Sequence, residues 1–151
     1  MNTPVISRKN LNCWEISMIG KLNHVAIAVP DITESSKTYE VMFKAEVSEI
    51  IEQPEHGVKI VFITLPNTKI ELISPLDKNS PISNFLQRNP NGGIHHLCYE
   101  VQSIDLAIQK LSGKGFKILG SGKPKLGGHG KPVIFLHPSD FNGTLIELQQ
   151  E

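Results

Sequence analysis

Cysteine is scarce: the 151 residues hold only Cys13 and Cys98, far apart and forming no CxxC pair. That argues against a disulfide framework or a structural zinc–thiolate site and makes a reducing compartment the default. Neither sign of charge is in excess, since fifteen Lys+Arg balance fifteen Asp+Glu. Nothing therefore favours bulk attraction to nucleic acid or to a membrane surface. No apolar run approaches the ~20 residues of a spanning helix. Residues 1–20 lack the apolar core of a secretory signal and are poor in the arginine of a transit peptide. They are expected to be a flexible extension ahead of a domain at 21–151. A composition 39% hydrophobic and 20% charged fits one globular domain, or two small halves sharing a core.

The chain repeats itself. Leu22 to Val29 resembles Ile94 to Val101, pairing His24 with His96 at 72 residues' distance. His56 to Ile63 resembles His129 to Leu136, 73 apart, and Thr68 to Ile73 resembles Thr144 to Gln149, 76 apart. Strands resemble one another by composition, so each match alone is weak. Three collinear matches with little drift point to a tandem duplication with halves at about 21–76 and 93–151.

Each half reads as βαβββ. In the first, a strand at 22–29 is followed by Asp31 and Glu34, spaced as a capping box, and a helix to Phe43. Strands are expected near 46–52, 57–65 and 68–74. In the second, a strand at 94–101 precedes Ser103 as N-cap and apolar Ile104, Ala107, Ile108 and Leu111 at helical spacing. Strands are expected near 116–120, 131–137 and 143–149. A short helical segment from Ser80-Pro81 to Gln87 and a link from Asn89 to Gly93 join the halves. The expected fold is α+β: two tandem βαβββ modules forming a curved mixed sheet around a metal-centred cavity.

The cavity follows from strand alternation. Val25, Ile27 and Val29 share one face, and His24, Ala26 and Ala28 the other. Leu97, Tyr99 and Val101 repeat the first set, with His96 opposite. Ile70 with Leu72, and Ile146 with Leu148, form apolar pairs from which Glu71 and Glu147 point away. Each half thus offers one His and one Glu. If a pseudo-twofold joins the halves, two imidazoles and two carboxylates converge, a set suited to Co²⁺, Mn²⁺, Ni²⁺, Zn²⁺ or Fe²⁺. His95 is expected to point away from the cavity that His96 enters, because adjacent strand residues face opposite sides. Cys98 reads as a small wall residue.

At these residues the chain resembles the vicinal-oxygen-chelate superfamily and, within it, the methylmalonyl-CoA epimerases. The matching stretches are Leu22 to Asp31, Pro54 to Val58, Asn67 to Leu72, Gly92 to His96, Gly128 to Pro138 and Leu145 to Leu148. The resemblance implies exchange of the C2 proton of methylmalonyl-CoA, interconverting its epimers with help from a divalent metal, with Co²⁺ the first choice and Mn²⁺, Ni²⁺ or Zn²⁺ as alternatives. It implies His24, His96 and Glu147 as ligands, Glu71 where some members carry a Gln ligand, and Glu147 as one of two bases. Ile60 stands where some bacterial members place the other base. Glu71 is the replacement candidate, with His56, His129 and a water molecule as alternatives. Lys123, Lys125 and Lys131 are candidate partners of the substrate carboxylate or the CoA phosphates. A homodimer and a cytoplasmic location, or the mitochondrial matrix in a eukaryote, are also implied. The same scaffold leaves open a glyoxalase or dioxygenase and a non-catalytic small-molecule binding module.

Overall fold

The computed structural model describes residues 18–151. Most of the extension expected at 1–20 therefore lies outside the described residues. In the first half, β1 (Leu22–Ala28) leads to α1 (Ile32–Phe43), then β2 (Glu46–Val47), β3 (Ile51–Gln53), β4 (Val58–Thr64) and β5 (Lys69–Pro75). A short helix, α2 (Ser83–Arg88), crosses to β6 (Gly93–Val101) and α3 (Ile104–Gly113). β7 (Lys125–Leu126), β8 (Pro132–Leu136) and β9 (Ile146–Gln150) complete the second half, with a 3-10 turn at Pro138–Asp140. No helix among the described residues is long and apolar enough to cross a membrane.

Local chemistry fixes the helix starts. The Asp31 carboxylate accepts from the Glu34 amide at 3.0 Å, and the Ser103 hydroxyl from the Leu106 amide at 3.3 Å. Each satisfies a backbone donor that the first helical turn leaves unpaired. Asp31 and Ser103 are the caps the sequence predicts.

The strands form one mixed sheet in the order β2-β4-β5-β1-β6-β9-β8-β7, with β3 also paired to β4. β1 and β6 meet antiparallel at the centre; β5 runs parallel to β1, and β9 parallel to β6. The order reads the same from either edge when β1 is exchanged with β6, as a duplicated unit requires. One side of each half packs on its helix. Val29, Ile32, Val61, Ile63 and Leu72 form the core under α1, and Val101, Ile104, Ala107, Leu111, Ile134 and Leu148 belong to the larger core under α3. Ile63 and Leu72 are fully buried. Burial of such a side chain stabilises by about 1.5–3 kcal/mol.

Two expected strands are altered. The segment at 46–52 breaks into β2 and β3, because it carries one residue more than β4 between the pairs Val47–Ile63 and Ile51–Ile60. The segment at 116–120 keeps only the bridge from Ile118 to Leu136. Positive φ at Gly115 (82°) and Gly120 (72°) turns the chain away on both sides.

Candidate metal centre and cavity

Two rows of side chains cross the other side of the sheet. One runs Phe62, Glu71, Ala26, His96 along β4, β5, β1 and β6. The other runs Phe135, Glu147, Cys98, His24 along β8, β9, β6 and β1. Each row carries a Glu and its small neighbour from one half and its His from the other half. The repeat thus maps one row onto the other, with Cys98 in the place of Ala26.

The rows bring the four predicted side chains to one point. His24 Nε2 lies 3.3 Å from His96 Nε2, 3.2 Å from Glu147 Oε2 and 3.4 Å from Glu71 Oε2. His96 Nε2 lies 2.9 Å from Glu147 Oε2 and 3.6 Å from Glu71 Oε2. All four residues are buried. Burial opposes the charge of Glu147, but hydrogen bonds from His24 and His96 win and hold its pKa down to about 2. Burial also opposes a charged His24, yet hydrogen bonding to Cys98, Glu147 and Glu71 raises its pKa to about 12. The centre therefore demands positive charge.

A neighbouring chain of hydrogen bonds sets the His24 tautomer. Asn23 Nδ2 donates to Glu100 Oε1 at 2.9 Å, which turns Asn23 Oδ1 toward His24 Nδ1 at 2.8 Å. Nδ1 keeps its proton, so Nε2, which donates to the carboxylates while His24 is charged, is the nitrogen that frees a lone pair toward the cluster once its proton leaves. These residues fit a divalent cation: one proton satisfies a single donor pair, whereas a dication satisfies four converging lone-pair donors. His24, Glu71 and His96 form one metal-capable trio, and His24, Cys98 and Glu147 a second.

A cavity of about 460 Å³ opens beside the cluster. Glu71, His96 and Glu147 are in its wall, Ile60, Ile73 and Val133 supply apolar surface, and Lys123 and Lys125 also line it. Lys131 is exposed and is not among the lining residues. Gly127 and Gly128 pass directly over the carboxylates. A Cβ on Gly127 would stand 3.5 Å from Glu147 Oε1, and one on Gly128 3.3 Å from Glu71 Oε1. His56 Nε2 donates to the Leu126 carbonyl at 2.6 Å, tying the β3–β4 turn of the first half to this strap. His129 stacks on Phe62 with ring centroids 4.1 Å apart, and burial lowers its pKa.

The expectation that His95 faces away from the cavity is corrected. His95 lines the cavity together with His96. In the β1–β6 ladder Ala26 pairs with His96 and Ile27 with Ile94, so His95 is the extra residue of a β-bulge and alternation fails there. A second bulge at Asn23 accounts for the burial of both Asn23 and His24. Cys98 is more than a wall residue, because its thiol contacts His24 and burial raises its pKa to about 12. Its place beside the ligands was readable from the repeat, as the counterpart of Ala26. The roles of Asn23 and His95 follow only from the bulges. Ile60 is buried in the cavity wall and offers no base.

Two joined βαβββ units with paired His and Glu on one face define the class: residues 23–135 match the model of the Glyoxalase/Bleomycin resistance protein/Dioxygenase superfamily. The chain is 59% identical over 133 residues to the ethylmalonyl-CoA/methylmalonyl-CoA epimerase of Cereibacter sphaeroides, covering 88% of this chain and 99% of that protein. It is 52% identical over 132 residues to the human mitochondrial methylmalonyl-CoA epimerase, covering 87% and 75%. It superposes on the methylmalonyl-CoA epimerase crystal structure from Mycobacterium tuberculosis with a TM-score of 0.83 at 27% identity, covering 95% and 93%. The chain belongs to the methylmalonyl-CoA epimerase family of that superfamily.

Proposed function

We propose that the chain interconverts the two C2 epimers of methylmalonyl-CoA by removing the C2 proton on one face and returning a proton on the other. The observation that carries this reading is the convergence of His24, His96, Glu71 and Glu147 at the wall of an acyl-sized cavity. The names of the similar epimerases support the substrate.

His24, His96, Glu147 and Glu71 would hold a divalent ion, with cobalt our first choice and Mn²⁺, Ni²⁺ or Zn²⁺ as alternatives. When bound, the ion supplies positive charge for the negative charge that develops on the thioester oxygen. The chain does the rest. Asn23 keeps the His24 lone pair turned inward. The Gly127–Gly128 strap and Phe62 cover the cluster and limit water. Glu147 is assigned as one base. Glu71 is assigned as the other: its Oε2 stands farther from both histidines than that of Glu147, so it is the carboxylate freer to turn toward C2. Two bases are needed because the proton leaves one face and arrives on the opposite one. Lys123 and Lys125 are assigned to substrate anions at the cavity wall. We assign the chain to the cytoplasm, or to the mitochondrial matrix in a eukaryote, and to a homodimer, which sedimentation equilibrium tests.

The deciding experiment is C2 proton–deuterium exchange of methylmalonyl-CoA in D₂O, followed by NMR. It compares metal-loaded protein, chelated protein and Glu147→Gln. Metal-dependent exchange with epimer interconversion, lost in the variant, is expected. No exchange with any divalent metal would sink the proposal and return the glyoxalase, dioxygenase and binding-module readings.

A further inference from the structure

The two histidines of the centre are held differently from behind. His24 Nδ1 meets Asn23, whose amide is itself closed off by Glu100. His96 Nδ1 meets His95 Nδ1 at 2.9 Å. Asn23 and His95 occupy the same position of the repeat, each bulged out of the β1–β6 ladder immediately before its histidine. The bulge is what lets neighbouring residues touch the same site.

Proton bookkeeping then fixes the His95 tautomer. For His96 Nε2 to present a lone pair to the centre, His96 Nδ1 must carry the proton. It donates that proton's hydrogen bond to His95 Nδ1, which must be the acceptor. A neutral His95 keeps its one N–H on Nε2, at the ring edge away from His96. The His95 ring lines the cavity and is braced edge-on by Phe85, with centroids 5.2 Å apart. Among the described residues His95 Nε2 forms no hydrogen bond. The Asn23 side is buried and satisfied, whereas the His95 side is half-buried and faces the space where substrate would lie.

The structure assigns His95 as a positioning residue that fixes the tautomer of His96 and as the donor of an Nε2–H hydrogen bond to the substrate's free carboxylate. The second role rests on the epimerase reading above; the first does not.

The test uses the full-length chain, with Zn²⁺ as the probe for binding. In His95→Phe the acceptor is lost, and Zn²⁺ affinity by calorimetry is expected to fall about 10–100-fold. His95→Asn copies the Asn23 arrangement and should bind Zn²⁺ within about threefold of the parent. At saturating metal, His95→Asn should raise KM for methylmalonyl-CoA about tenfold with little change in kcat, the loss expected for one hydrogen bond to a charged group. Long-range ¹H–¹⁵N NMR of the unmutated protein reads the tautomers directly, whatever the variants do to folding. It should show Nε2–H on His95 and Nδ1–H on His96 in the zinc form. Unchanged Zn²⁺ affinity in His95→Phe, or the opposite tautomers, would overturn the positioning role. An unchanged KM in His95→Asn would overturn the carboxylate contact. A chain without epimerase activity whose Zn²⁺ affinity still drops in His95→Phe would defeat the functional reading and uphold the positioning role.

Discussion

His24 and His96 face each other across 3.3 Å, yet neither is the other's partner in the sheet: His24 pairs with Cys98, and His96 with Ala26. The contact arises because each histidine sits in a row completed by the opposite half. The centre is thus shared between the repeats, and neither half alone holds a full row.

Glu71→Gln separates the two bases. Amide nitrogen and oxygen still ligate or hydrogen-bond, but they do not accept the C2 proton. C2 exchange in D₂O should persist from one epimer, while interconversion drops about 10²–10⁴-fold. Interconversion retained near the parental rate would instead make Glu71 a ligand only.

Metal affinity should strengthen as pH rises. His24 is protonated in the metal-free centre far above its ordinary value of 6.5, its pKa standing at about 12. A raised pKa in the folded state stabilises the metal-free protein below pH 6.5, and that stabilisation is lost as pH climbs toward 12. A metal ion must displace the proton, so binding should release about one proton and gain about tenfold in affinity per pH unit. Calorimetry in buffers of different ionisation enthalpy measures both. At the acid end, the depressed pKa of Glu147 stabilises above pH 4.5 and is lost as pH falls toward 2.

Cys98→Ala makes its row match the Ala26 row. The variant should lose about 1 kcal/mol of stability from the vacated sulfur volume, read by urea unfolding. Turnover should remain within about threefold of the parent, because Ala26 fills the equivalent place without loss of geometry. A collapse of metal binding would instead make the His24–Cys98–Glu147 trio the working site.

Gly92→Ala should destabilise by at least about 1–3 kcal/mol in thermal unfolding. Gly92 has φ of 86°, and an added Cβ would run into the Ala28 carbonyl oxygen. Both effects lie at the turn into β6, so the damage is to folding rather than to the ligands.

His56→Ala cuts the tie to Leu126 and should loosen the strap over the carboxylates. Gly127 and Gly130 donate within the strap to Lys131 and Gly127 carbonyls. Their amide exchange should accelerate, with KM rising more than kcat falls.

By itself, the sequence determined the duplication, both helix caps, the apolar faces and all four converging side chains. These are legible because alternation and helical spacing are local consequences of backbone geometry, and a repeat prints the same local pattern twice. The halves at 21–76 and 93–151 give each row its Glu, its Phe and its small residue. Only the tertiary structure decided that each row takes its histidine from the opposite half, because the β1–β6 register is a long-range choice no local pattern encodes. It also decided the bulges at Asn23 and His95. A bulge is an extra residue absorbed between two strands, visible only once they are paired. Two side chains that alternation sends to opposite faces, His95 and His96, therefore line one cavity.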